Sequence, residues 1–124
     1  MKNRPHPFRS FVHAWHGIRL CFRTERSFRW QIAAALLVTT AAFILPLHAW
    51  ERIVIAVVVM LVLVLELLNS SIERLVDFIK PRLHEYAGDI KDLMAGAVLL
   101  ASLFSVLIGM IIFWPYVIPV LLNL

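Results

Sequence analysis

The chain has 124 residues, of which 61% are hydrophobic, with a mean hydropathy of +0.84 and a formal charge of +4. That length allows one domain, and an apolar content so far above the ~45–50% of soluble domains excludes a soluble fold that hides it all in one core. A single cysteine, Cys21, excludes an internal disulfide and a multi-thiolate metal site. The basic residues sit beside apolar runs, so lipid headgroups or nucleotide phosphates fit them better than nucleic acid.

The first predicted element covers residues 8–29, FRSFVHAWHGIRLCFRTERSFR. Phe8, Phe11, Val12, Trp15, Ile18 and Phe22 recur at helical spacing, with histidines and arginines mostly elsewhere, which predicts an amphipathic surface helix in a membrane interface. Arg19 falls inside the apolar stripe, either snorkelling from an anchor or standing beside a lipid headgroup or phosphate. Trp15 and Arg19 are therefore the candidate contacts to a lipid substrate. His13 and His16 lack further ligands nearby in sequence, so an interfacial or phosphate contact suits them better than a metal.

Three apolar stretches follow, each near the ~20 residues that cross ~30 Å of hydrocarbon. They cover residues 30–50, 52–73 and 93–114. The first runs between Trp30 and Trp50, which suit opposite interfaces, and only a short connection separates it from the second, as in a helical hairpin. Residues 74–92 form the connecting loop, and the third span stops at Trp114-Pro115. Ala97, Ala101, Ser105 and Gly109 recur every four residues along it, a spacing that suits close helix packing.

Orientation follows from lysine and arginine placement. Lys2, Arg4, Arg9, Arg19, Arg23, Arg26 and Arg29 precede the first span, and Arg74, Lys80, Arg82 and Lys91 lie between the second and third. Only Arg52 lies in the first connection, and the segment after Trp114 has no basic residue. The N-terminus and the 74–92 loop are expected in the cytoplasm and the C-terminus outside. The first span is long and lacks an A-x-A-like exit, so it reads as a retained helix rather than a cleaved signal.

The second span ends in polar residues: ELLNSSIERLVD, residues 66–77. At about 100° per residue, Glu66, Glu73 and Asp77 fall within about 40° of one another, flanked by Asn69 and Ser70. Glu73 and Asp77 alone would read as a solvated face. Glu66 lies deeper, where an acid costs up to ~2.5–3.5 kcal/mol to insert, and intramembrane acids are functional by default. Carboxylates with an amide suit Mg²⁺, an acid at membrane depth suits proton transfer from a lipid hydroxyl, and Lys91, Arg82, Arg26 and Arg29 at the same level suit phosphate. Phosphoryl transfer to a lipid is one chemistry that uses all three. No P-loop, glycine-rich loop or protein-kinase motif set is present. The alternative from another class is a small proton-coupled carrier subunit with Glu66 as relay, although spans one and three lack ionisable groups near the midplane.

ELLNSSIERLVD resembles the E-[LI]-[LI]-N-[ST]-A-I-E-x-x-V-D signature of the small bacterial diacylglycerol kinase and undecaprenol kinase family. KDLMAGAVLLAS, residues 91–102, resembles its K-D-x-x-A-G-A-V segment, and FVHAWHGI and TERSFR fit its N-terminal surface helix. The resemblance implies an all-α homotrimer, one surface helix and three membrane helices per chain, that moves the γ-phosphate of MgATP to the primary hydroxyl of a membrane lipid. It implies Glu66 as general base and Glu25 and Glu73 as the metal-linked carboxylates at the nucleotide. Lys91 and Asp92 would complete the nucleotide site, supported by Asn69, Asp77 and His84. Ser71 and Ile90 depart from the pattern, and Gln31 stands where the diacylglycerol kinases carry another acid, which looks more like the undecaprenol kinase branch. In a closed assembly a neighbour's surface helix is expected to cover each acidic stripe, bringing Glu25 opposite Glu73.

Overall fold

The computed structural model describes residues 7–79 and 85–122. Four helices make up this part of the chain: α1 (Pro7–Thr24), α2 (Arg26–Ile44), α3 (Ala49–Ile79) and α4 (Ala87–Leu122). The last three are long and apolar enough to cross a membrane. α3 is central, packing against each of the other three, with its longest contacts along α4.

The helix expected over 8–29 is broken. Glu25 adopts an extended backbone (φ −101°, ψ 115°), so α1 ends at Thr24 and the arginines at 26 and 29 open α2 instead. Neither proline nor glycine marks the break. Arg29 stabilises it by reaching back from α2, its Nη1 donating to the carbonyls of Phe22 (3.2 Å) and Arg23 (3.1 Å). Those carbonyls belong to the last turn of α1, which has no intrahelical donors of its own to offer them.

α2 stops where Pro46 forces Leu45 into an extended conformation (φ −76°, ψ 148°). α3 begins at Ala49, its first turn closed by Glu51, whose Oε2 accepts from the His48 backbone N–H at 2.7 Å. Arg52 spans the turn, donating from Nε to the Ala42 carbonyl at 3.1 Å. Above this hairpin sits the core: Ala42, Leu47, Ile55 and Ile112, with Val38, Val59 and Phe113 packed against it.

Two boundaries differ from the sequence reading. The 74–92 loop is mostly helix, with α3 continuing to Ile79 and α4 beginning at Ala87, so Lys91 and Asp92 stand on a helix. α4 also runs through Pro115 and Pro119 to Leu122 rather than stopping at Trp114. Prolines are tolerated in apolar helices where other contacts hold the element. Here Tyr116, the residue after the first proline, bonds to Glu51 at 2.6 Å.

Large side chains such as Leu36, Phe43, Phe104 and Ile111 point outward, each at least 60% exposed, as hydrocarbon contact requires. The small-residue stripe of α4 is half-buried. Ser105 and Gly109 line an open cleft, and a Cβ added at Gly109 would meet nothing within 4 Å.

Candidate active site

The acidic stripe lies on the half of α3 remote from the hairpin, where α1 and the start of α2 pack against it. Glu66 is 4% exposed, and Ser70, one turn on, is 5% exposed. Two side chains of α2 hold the Glu66 carboxylate: Ser27 Oγ donates to Oε1, and Gln31 Nε2 donates to Oε2 at 3.3 Å. Among the described residues no lysine, arginine or histidine forms an ion pair with it. Its charged neighbours are acids, because Glu73 and Glu25 both lie within Coulombic range.

Next on the stripe, Asn69 Nδ2 donates to Glu73 Oε1 at 3.1 Å. The Asn69 carbonyl oxygen is buried and has no donor. Glu25, at the α1–α2 break, accepts from Arg74 Nη2 at 3.1 Å, and the same guanidinium bonds Thr24 Oγ1 at 2.5 Å. The helix break is what aims Glu25 at α3 of its own chain. Within the chain its partner there is Arg74, the residue after Glu73. Lys91 Nζ lies 2.5 Å from Asp77 Oδ1, joining α4 to the exposed end of α3.

The other expected residues stand apart. Trp15 is 63% exposed on α1, Arg19 is exposed one turn beyond it, and Asp92 is exposed on α4. His84 lies outside the described residues. Between α1 and α3 a cleft of about 410 Å³ is lined by Gly17, Ile18, Cys21, Ser70 and Arg74. Cys21 is buried against Ser70, and burial pushes its thiol up from its ordinary value, so it acts as a small protonated side chain. Among the described residues no three His, Cys, Asp or Glu side chains converge on one point.

Sequence reasoning missed three groups here. Ser27 and Gln31 are polar positions one turn apart at the start of a span, a signal that Gln31 carried only as a departure from a motif. Arg74 read as a loop charge. The pairing of each depends on helix register, which no spacing within one helix supplies.

The profile of the family described as prokaryotic diacylglycerol kinase matches residues 12–113. The chain is 42% identical over 108 residues to undecaprenol kinase of Bacillus subtilis, covering 87% of this chain and 88% of that one. It is 43% identical over 101 residues to a diacylglycerol kinase of Synechocystis, covering 81% of this chain and 58% of that one. Against diacylglycerol kinase of Escherichia coli K12 the identity is 36% over 104 residues, covering 84% and 85%. A match of this extent, carried on three apolar helices and the acidic stripe, excludes the carrier reading: the chain belongs to the prokaryotic diacylglycerol kinase family and is a lipid kinase.

Proposed function

We propose that this ATP-dependent lipid kinase phosphorylates undecaprenol, with Glu66 as general base. The observation that carries the mechanism is the placement of Glu66: buried against α2, with Asn69 and Glu73 following on the same helix face. An acceptor lipid reaches that depth with its hydroxyl, whereas ATP approaches from the exposed end of the stripe. As the lipid hydroxyl oxygen bonds to the γ-phosphorus, its proton passes to the Glu66 carboxylate. The bond from phosphorus to the bridging oxygen breaks, and ADP leaves with that electron pair.

The donor set fits Mg²⁺. Glu25 and Glu73 are hard oxygen ligands, and the buried Asn69 carbonyl without a donor suits a cation or a water bound to one. Two carboxylates are the usual protein share for an ion that takes its other ligands from phosphate and water. Glu25 and Glu73 would hold it, and its chemistry there is to neutralise charge on the phosphate oxygens. Arg74 orients Glu25, and Asn69 orients Glu73. Lys91, Asp92, Asp77 and His84 bind or support the nucleotide, with Lys91 exchanging its contact to Asp77 for phosphate. Trp15 and Arg19, on the amphipathic α1, meet the lipid at the interface. The active site and N-terminus face the cytoplasm of the bacterial inner membrane, with the C-terminus outside, and the chain assembles as a homotrimer.

Undecaprenol is favoured over diacylglycerol, the second reading, by Gln31, the neutral residue at the position where the diacylglycerol kinases carry an acid. In one membrane mimic, undecaprenol is expected to give a kcat/KM about tenfold above that of diacylglycerol, ~1.4 kcal/mol in transition-state terms. Preference for diacylglycerol by the same factor reverses the assignment.

A further inference from the structure

We propose that Ser27 and Gln31 are positioning residues, a two-donor clamp that holds the Glu66 carboxylate in the orientation from which it takes the acceptor's proton. The proposal rests on the lipid kinase reading with Glu66 as base and adds what fixes that base in place.

Three observations carry it. Ser27 and Gln31 are four residues apart on α2, so they share one face, about one turn apart, and both reach Glu66 on α3. Their donors divide the carboxylate between them, Ser27 Oγ to Oε1 and Gln31 Nε2 to Oε2. Each oxygen keeps a lone pair for an incoming hydroxyl. The third observation is the other end of the Gln31 amide. Its Oε1 is buried without a donor, at the edge of an apolar cleft of about 360 Å³ running between α2 and α4 over α3. Turning the amide over would set that carbonyl against the Glu66 carboxylate. The amide therefore serves Glu66 at the expense of its own acceptor, an imbalance that buried groups normally avoid.

The chemistry of the donors matters as well as their number. A lysine or arginine would also fix a carboxylate, but a close cation favours the charged form and makes a poor proton acceptor. A hydroxyl and an amide fix the orientation without a full opposing charge. Orientation has a large effect on rate, because a displacement of ~1 Å at a reacting group can cost about a hundredfold.

The test uses the full chain in mixed micelles, with the purified lipid alcohol and MgATP. Ser27→Ala and Gln31→Met are each expected to lower kcat about tenfold while both KM values stay within about twofold. Ser27→Thr, which keeps the hydroxyl, should regain most of the lost kcat. Nucleotide affinity reports folding independently, and Ser27→Cys, close in volume but a weak donor, replaces the alanine variant should that one not fold. An unchanged kcat, a loss confined to KM, or no rescue by threonine overturns the clamp. Glu66→Gln run alongside separates the two readings. If it is inactive while the clamp variants are normal, only the clamp falls. If it is active, the base assignment falls and the clamp with it.

Discussion

Glu51 and Glu66 are both buried on α3, 8% and 4% exposed, and lie about 22 Å apart along its axis at about 1.5 Å per residue. Glu51 closes the first turn of its helix. Its Oε2 accepts from the His48 backbone N–H at 2.7 Å and from the Tyr116 hydroxyl at 2.6 Å, and His48 Nδ1 stands 3.3 Å away. Two of these contacts come from His48, just before the start of α3, and the third ties in Tyr116 of α4, while the position at a helix N-terminus favours a carboxylate through the helix dipole. Glu66 has no such employment. It sits within a helix, held by neutral donors, with Glu25 and Glu73 as its charged neighbours. A buried acid that completes a cap is architecture. One buried within a helix with other acids as its charged neighbours works against the fold, and such sites are retained for chemistry.

The largest expected effect tests that contrast directly. Glu66→Gln should lower kcat by about 10²–10⁴-fold, the usual share of a general base, with nucleotide affinity nearly unchanged. Thermal stability should hold or rise, because the substitution relieves the crowding with Glu25 and Glu73. A marked fall in the unfolding midpoint would place Glu66 with Glu51 among the structural acids.

Glu73→Gln comes next. It should weaken MgATP binding roughly tenfold, ~1.4 kcal/mol, as measured by nucleotide titration of the detergent-solubilised protein. The glutamine amide keeps an oxygen that can accept from Asn69 Nδ2, so the loss is read as a missing ligand rather than a collapsed site. Equal losses of nucleotide affinity in the Glu66 and Glu73 variants would erase the division between base and metal-linked carboxylate.

The two ends were not equally legible in the sequence. The acidic stripe could be read from 3.6-residue periodicity alone, because Glu66, Asn69, Glu73 and Asp77 lie on one helix and their shared face follows from spacing. Glu51 was visible only as an acid in a short connection. Its main partner, Tyr116, lies 65 residues away beyond a proline that had marked the end of the last span. Spacing gives a face, whereas a partner on another helix requires the register between helices. The same limit hid Ser27 beside Glu66 and Arg74 beside Glu25. The break at Glu25 was hidden for a local reason: it follows from Arg29 folding back onto the last carbonyls of α1, without the proline or glycine that usually punctuates a helix.

The smallest effect is expected at the hairpin end, and there it should appear in stability alone. Tyr116→Phe removes the hydroxyl that donates to Glu51 and stands 3.0 Å from His48 Nδ1. Nothing else about the ring changes, so its packing beside Ala42, Leu47, Ile55 and Ile112 is kept. Glu51 retains the His48 backbone donor, which limits the damage to the tie between α4 and the α2–α3 turn. The unfolding midpoint should fall by several degrees, while kcat and both KM values stay within about twofold, since the proposed active site is at the far end of α3. Glu51→Gln should do more, because it weakens the helix cap and the tie together. If Tyr116→Phe instead lowers kcat as strongly as a clamp variant, the two ends are coupled through α3, and Glu51 would have to be counted with the catalytic machinery rather than against it.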